Sequence, residues 1–357
     1  MYHVFHVQSP PRITLLFRAG GDIRILMAGR HARRLGWAFA VLGLAASALL
    51  VYTAVDNRRI VVREVTLSHP DLPPAFDGFT IVQVSDLHQR RFGQGQSDLI
   101  AAIEAVPHDL VLLTGDYTQL TWDESPAAAG PLLELVRGLT PGEPCCFVLG
   151  NYEGAGDYSF YPPGRTNPGD LLAAAGASQI YPALMVDRGA DHIWLSDWSS
   201  APYARPGLAW PGSPTFPTDL DVAHDFIIAV THRPMDLENP WRKNQAMDPD
   251  WVGMAGTMAD AFMLSGELPW KMNISGHTHG GQFRLPGLGP LTSPNERGYL
   301  PLDLLPRTGD LYIRGTWTDG QGRVRSISSG LGASGPPGLR FRLFDTPEIV
   351  VIHLRKG

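Results

Sequence analysis

The sequence predicts an α/β protein behind a single N-terminal membrane-spanning helix. Three observations carry that reading: an uncharged apolar run near the start, apolar strands and amphipathic helices that then alternate, and a further group of strands near the C-terminus. Each strand of the alternating part hands polar residues to the loop at its carboxyl end, which is the edge where open α/β sheets bind ligands.

Leu35–Val55 reads LGWAFAVLGLAASALLVYTAV, 21 residues without a charge, the ~20 needed to cross a hydrocarbon core as a helix. Trp37 and Tyr52 stand near its two ends, where interfacial aromatics belong. The run exceeds the ~7–15 residues of a cleavable signal's apolar region, although Ala45, Ala46 and Ala48 supply small residues for cleavage. A core helix buried in a soluble fold would show polar residues on one face. Arg24, Arg30, Arg33 and Arg34 precede the span and Arg58, Arg59 and Arg63 follow it, four basic residues against three. The expected orientation has the N-terminus in the cytoplasm and the body outside it. Residues 1–34 are expected to be a basic, poorly ordered segment, with Met27 an alternative start, and Arg33-Arg34 faintly resembles a twin-arginine signal.

Past the span, residues 56–78 are expected to hold a linker and a first strand, Ile60–Ser68, and residues 79–357 the catalytic body. Strands follow at Phe79–Ser85, Leu110–Thr114 and Cys145–Leu149, with helices at Ser97–Val106 and Pro126–Arg137 between them. Phe226–Thr231 and Met272–Ser275 continue the pattern around a helix at Met254–Ser265. Leu311–Arg314, Val324–Ser328 and Glu348–Leu354 carry no catalytic punctuation and are expected to form a second sheet. The stretches 158–168 and 202–217, rich in Pro and Gly, read as loops.

Composition narrows the function. Lys and Arg number 29 against 35 Asp and Glu, a net charge of −6, so the cationic face that nucleic-acid binding requires is not expected. The two cysteines, Cys145 and Cys146, are adjacent and read as buried strand residues, which leaves no disulfide framework. Gly (39) and Pro (31) together make about a fifth of the chain, so loops are many, and loops carry sites.

Asp86 and His88 follow one strand, Asp116 the next behind Gly115, and Asn151 a third behind Gly150; His232 ends a later strand, and His277 and His279 another. Oxygen and imidazole donors without thiolate suit Mn, Fe or Zn ions of unspecified identity. Seven donors exceed what one ion takes, so two ions ~3.5–4 Å apart under a bridging carboxylate are expected. The other eight histidines, His3, His6, His31, His69, His108, His192, His224 and His353, are read as incidental.

The order DLH, GDY, GNYE, THRP, GHTHGGQ resembles the calcineurin-like metallophosphoesterases, specifically their membrane-anchored bacterial phosphodiesterase branch. The likeness runs from Phe79 to the C-terminus and includes the tail SSGLGASGPPGLRFRLFDTPEIVVIHL. It implies two mixed sheets packed face to face and flanked by helices. It also implies one metal on Asp86, His88, Asp116 and His279, a second on Asp116, Asn151, His232 and His277, and a metal-bridging hydroxide as nucleophile. Gly280-Gly281-Gln282 would pack beneath the site. The family's usual His after the Asn is here Tyr152, whose pKa of ~10 makes it a weaker acid than imidazolium. The implied partners are a phosphoester substrate, lipid-linked or of the cell envelope, and the bilayer. A non-catalytic metal-binding scaffold and a protein phosphatase are the competing readings.

Overall fold

The computed structural model describes residues 29–119, 129–153, 168–197, 217–221, 223–234, 270–291, 294–295, 298–299, 313–335 and 338–357. It divides into two units, residues 1–52 and 53–357. Helix α1, Gly29–Asp56, contains the uncharged run and extends past it at both ends. Every side chain from Arg34 to Tyr52 is exposed, and among the described residues this is the helix long and apolar enough to cross a membrane. Its length and composition are consistent with a single-pass membrane anchor.

The body contains helices α2 (Ser97–Glu104), α3 (Gly130–Gly138) and α4 (Pro168–Ala174). Its strands begin with β1 (Val61–His69), β2 (Thr80–Val84), β3 (Leu110–Thr114), β4 (Cys145–Val148) and β5 (Ser178–Gln179). The hairpin β6 (Ala183–Arg188) and β7 (Asp191–Ser196) is followed by β8 (Ile227–Val230) and β9 (Met272–Ser275). Two short ribbons pair β10 (Arg284–Leu285) with β11 (Gly289–Pro290) and β12 (Pro294–Asn295) with β13 (Gly298–Tyr299). The chain ends with β14 (Gly315–Thr318), β15 (Val324–Ile327) and β16 (Glu348–Lys356).

Two six-stranded mixed sheets result, ordered β1-β16-β2-β3-β4-β5 and β14-β15-β9-β8-β7-β6. In the first, β16 runs antiparallel to β2 and the other pairs are parallel. In the second, only the outer pairs β14–β15 and β6–β7 are antiparallel. Alternating side chains of the first sheet, among them Ile81, Leu110, Leu112, Cys146, Val148, Val350 and Ile352, share one core with Ile193, Leu195, Ile228, Val230, Met272 and Ile274 of the second. The sheets therefore pack face to face. The opposite parity, Val82, Val111, Leu113, Phe147, Ile349 and Val351, packs with Leu99, Ile103, Leu132 and Leu135 of the helices. Both faces of the inner strands β16, β2, β3 and β4 are covered, which is why β3, β4 and the Ile349–Ile352 stretch of β16 read as continuous apolar runs rather than alternations.

One expectation is corrected. The terminal strands do not make a sheet of their own: β16 inserts between β1 and β2 in the first sheet, while β15 joins β9 in the second. The reason is that Ile349 to Ile352 bury apolar side chains on both faces, as a central strand must. Ile313 and Arg314 form a turn, and the strand expected there begins at Gly315; 311–312 lie outside the described residues, as do 254–265, 158–167, 202–216 and 1–28. β1 pairs with β16 along its whole length, so the first strand within 56–78 is an integral edge of the first sheet.

Candidate metal centre

Strands β2, β3, β4, β8 and β9 all end at one edge of the sandwich, and the candidate residues lie just beyond them. The first sheet delivers Asp86, His88, Asp116 and Asn151, and the second His232, His277 and His279. Contacts at the strand ends join the two edges: Gln83 Nε2 of β2 donates to Ser275 O of β9 at 2.9 Å, and the His277 amide in the following loop to Asp86 Oδ2 at 3.0 Å.

Five of the seven candidates, Asp86, His88, Asp116, His277 and His279, adopt positive φ between 48° and 71°. Left-handed backbone at Asp and His is uncommon and concentrates at functional sites, where surrounding structure must hold it. Two glycines allow the close approach this requires. A Cβ on Gly150 would collide with the Asp116 amide, and one on Gly276 would collide with Ser85 Oγ and lie 2.5 Å from Asp86 Oδ2.

The donor atoms fall into two groups that share Asp116: Asp86, His88, Asp116 and His279, and Asp116, His232 and His277. His88 Nε2 lies 3.1 Å from His279 Nε2 and 3.8 Å from Asp116 Oδ2; His279 Nε2 lies 3.5 Å from Asp86 Oδ1. On the other side, His232 Nε2 lies 3.0 Å from Asp116 Oδ2 and 3.1 Å from His277 Nδ1. Carbonyls fix the tautomers. His88 Nδ1 bonds to Thr118 O at 2.9 Å and His232 Nδ1 to Thr114 O at 2.8 Å, which turns each Nε2 inward.

Imidazole nitrogens and carboxylate oxygens therefore converge, and Asp86 Oδ1 and Asn151 Oδ1 are buried without hydrogen-bond partners. Such a cluster of acceptors is what cations would satisfy. Electrostatics agree. Burial drives His88 down to about 4 and also lowers His279, helped by its neighbours His88 and Arg342. Burial raises Asp86 to about 6. His232 runs the other way: burial alone would lower it, but the Asp116 carboxylate outweighs burial and holds it at about 9. Asp116 stays well below the carboxylate range, its burial offset by His232 and the other imidazoles. A proton on His232 thus balances charge where a cation would sit.

Tyr152 stands at the margin, half-buried, its ring edge-on to His88 at 5.1 Å and its amide donating to Asp116 Oδ1 at 3.0 Å. Burial and the Asp116 charge raise its hydroxyl above the usual tyrosine value, and a hydrogen bond with Ser334 acts against that rise. Of the incidental histidines, His69, His108, His192, His224 and His353 find partners away from this edge; His3 and His6 lie outside the described residues, as does the side chain of His31.

Sequence reasoning missed Glu153. This fully buried carboxylate accepts the amides of Tyr117 and Thr118 and the Thr118 hydroxyl on Oε1, and the amides of Asp116 and Gly150 on Oε2, all at 2.9–3.0 Å. It pins the Asp116 and Asn151 loops to each other. The available signal was its place, a charge directly beyond the strand-end Gly-Asn. The Gly330–Gly332 segment was also missed; its Leu331 and Gly332 amides donate to Ser85 O (3.1 Å) and Asp86 O (2.6 Å).

The family model for calcineurin-like phosphoesterases matches residues 79–281, more than half of the chain and every candidate above. The chain belongs to the calcineurin-like phosphoesterase family. A relative, the uncharacterized metallophosphoesterase YkuE of Bacillus subtilis, is 26% identical over 307 residues, covering 84% of this chain and 87% of that protein. Among solved structures, the phosphopantetheinyl hydrolase of Mycobacterium tuberculosis is 13% identical with a TM-score of 0.36, covering 72% of this chain and 91% of its own. A putative 5'-nucleotidase of Staphylococcus aureus (12%, TM-score 0.34) covers 76% of this chain and 54% of its own. A purple acid phosphatase from yellow lupin seeds (12%, TM-score 0.32) covers 80% and 55%. Calcineurin-like phosphoesterases are dinuclear metal-dependent hydrolases, and the clustered Asp and His donors fit that chemistry.

Proposed function

We propose that this metal-dependent phosphoesterase is a phosphodiesterase or pyrophosphatase working at a membrane surface. The carrying observation is the convergence of two carboxylates and four imidazoles on two donor groups with Asp116 common to both. Asp86, His88, Asp116 and His279 would hold one divalent ion and Asp116, Asn151, His232 and His277 the other. Bound there, two such ions supply Lewis-acid charge stabilisation and activate water for in-line attack at phosphorus.

The chain's own residues do the rest. Thr114 O and Thr118 O hold the imidazole tautomers, and Glu153 fixes the loops so that Asp116 can serve both sides. Tyr152 offers a phenolic donor to a phosphoryl oxygen. Its raised pKa makes it a poor acid, which favours substrates whose leaving group departs without protonation, as a nucleoside monophosphate does from a pyrophosphate. Helix α1 supports a membrane-proximal substrate, a lipid-linked or envelope phosphoester, with the body on the non-cytoplasmic side following the flanking arginines. The intact donor set speaks against a scaffold that only binds. The test is metal-dependent hydrolysis of bis(p-nitrophenyl) phosphate, abolished in His277→Ala, beside a panel of UDP-linked glycolipids and phosphopeptides. Turnover of phosphopeptides alone would replace this reading with a protein phosphatase.

A further inference from the structure

One buried arginine ties together two of the loops that bear the candidate ligands. Arg342 is wholly buried, and its guanidinium donates to Asp345 O (2.7 Å), Gly332 O (2.8 Å), His279 O (3.0 Å) and Asp345 Oδ2 (2.5 Å). Asp345 also faces Arg284 and Arg314, and Arg284 Nη1 donates to Gly280 O at 2.6 Å. The consecutive carbonyls of His279 and Gly280 are thus each held by an arginine paired with Asp345. On its other side the same guanidinium holds Gly332, whose amide donates to Asp86 O at 2.6 Å. Arg342 therefore spans from the backbone of one candidate ligand to the segment bracing another. A buried ion pair contributes little net stability against an apolar replacement. A planar fork of five donors, however, can hold several carbonyls at fixed angles, which an ammonium cannot.

Arg342 is itself seated from outside this cluster. Its amide donates to Asn57 Oδ1 at 2.8 Å, and Asn57 Nδ2 donates back to Arg342 O at 2.6 Å. Arg90, two residues beyond His88, donates to Asn57 O, and Thr346 Oγ1 donates to Asp56 Oδ1 at 2.8 Å. Asp56 closes α1 and Asn57 follows it; both are buried, although the side chains on either side are exposed.

We propose that Arg342 is a positioning residue for the half of the metal centre formed by Asp86, His88, Asp116 and His279, and that Asn57 seats it. The residues closing the membrane helix are then part of the centre's scaffold. The inference rests on reading the Asp/His cluster as a two-metal site. The other half is held differently, His232 by Thr114 O and by Asp116, so loss of Arg342 acts on one ion and spares the second.

The experiment titrates Mn²⁺ into the detergent-solubilised full chain, following stoichiometry by equilibrium dialysis and the ion pair by electron paramagnetic resonance. The wild type binds two Mn²⁺. In Arg342→Lys one ion weakens about 10–100-fold, the usual cost of losing an outer support of a metal ligand, and the spin-coupled signal gives way to that of a single ion. Asn57→Ala weakens the same ion by a smaller factor and carries the test if Arg342→Lys fails to fold. In both, kcat on bis(p-nitrophenyl) phosphate falls while KM holds within about threefold, because the substrate contacts remain. Asp319→Ala is the control. Asp319 pairs with the buried Arg323 and Arg325 at the end of β15 opposite the site, so it lowers the melting temperature and leaves both affinities unchanged. Wild-type affinities in Arg342→Lys and Asn57→Ala, or an equal loss in Asp319→Ala, would overturn the inference and leave the two-metal reading standing. A wild type that binds fewer than two Mn²⁺ would overturn both.

Discussion

Asp116 is the residue on which the proposed chemistry depends most, because its carboxylate is common to both donor groups. Asp116→Ala is expected to remove both ions and to lower hydrolysis by at least ~10³-fold. His277→Ala leaves the Asp86, His88, Asp116 and His279 group complete, so one ion should remain detectable by metal analysis. Protonation adds a second test. In the metal-free protein Asp116 holds His232 at about 9, so below that pH a cation must displace its proton. Metal affinity should therefore rise with pH between about 6 and 9, with close to one proton released per chain, measurable by titration calorimetry in buffers of different ionisation enthalpy. pH-independent affinity across that range would show that His232 carries no proton in the metal-free protein. Tyr152→His should raise the rate on poor alkoxide leaving groups and leave pyrophosphates and nitrophenyl esters nearly unchanged, since only the former need a proton from an acid; equal gains on all substrates would remove Tyr152 from leaving-group chemistry.

Elements differ in how far the sequence disclosed them. Strands β2, β3, β4, β8 and β9 were legible because short apolar runs led straight into Gly, Asp, Asn or His. The left-handed backbone at Asp86 and His279 was not, since neither residue type demands it; the surrounding loops impose it. Nor was the placement of β16, because pairing partners far apart in sequence leave no local mark; its continuous Ile349–Ile352 run was an available but unread signal of burial on two faces. Two measurements belong here. Ile352 lies in the core between the sheets, so Ile352→Ala should cost about 2–4 kcal/mol of stability, whereas Val61→Ala on the exposed edge strand β1 should cost within about 0.5; denaturant melts of the full chain in micelles give the comparison. On β4, burial pushes the Cys146 thiol up to about 11 and Cys145 higher still. Neither should react with a disulfide reagent at pH 8 until the protein is unfolded.

For the whole molecule, the sequence disclosed an apolar helix long enough to span a membrane and a strand-edge site, and likeness to a known family supplied the two-sheet arrangement. What it hid was the contribution of the tail and of the residue that follows α1. Gly330–Gly332, Arg342 and Asn57 hold the site through backbone carbonyls and amides, contacts that leave no pattern of ligand-like residues to read. Helix α1 should keep the chain in the membrane pellet through alkaline carbonate extraction, and a reporter fused after Gly357 should be active only outside the cytoplasm; cytoplasmic activity would reverse the proposed orientation. The most direct test of a shared two-metal centre pairs metal content with hydrolysis of bis(p-nitrophenyl) phosphate in the wild type and Asp116→Ala. Two ions per chain and chelator-sensitive hydrolysis, both lost together in Asp116→Ala, are expected. Hydrolysis that survives chelation, or an Asp116→Ala protein as active as the wild type, would contradict it.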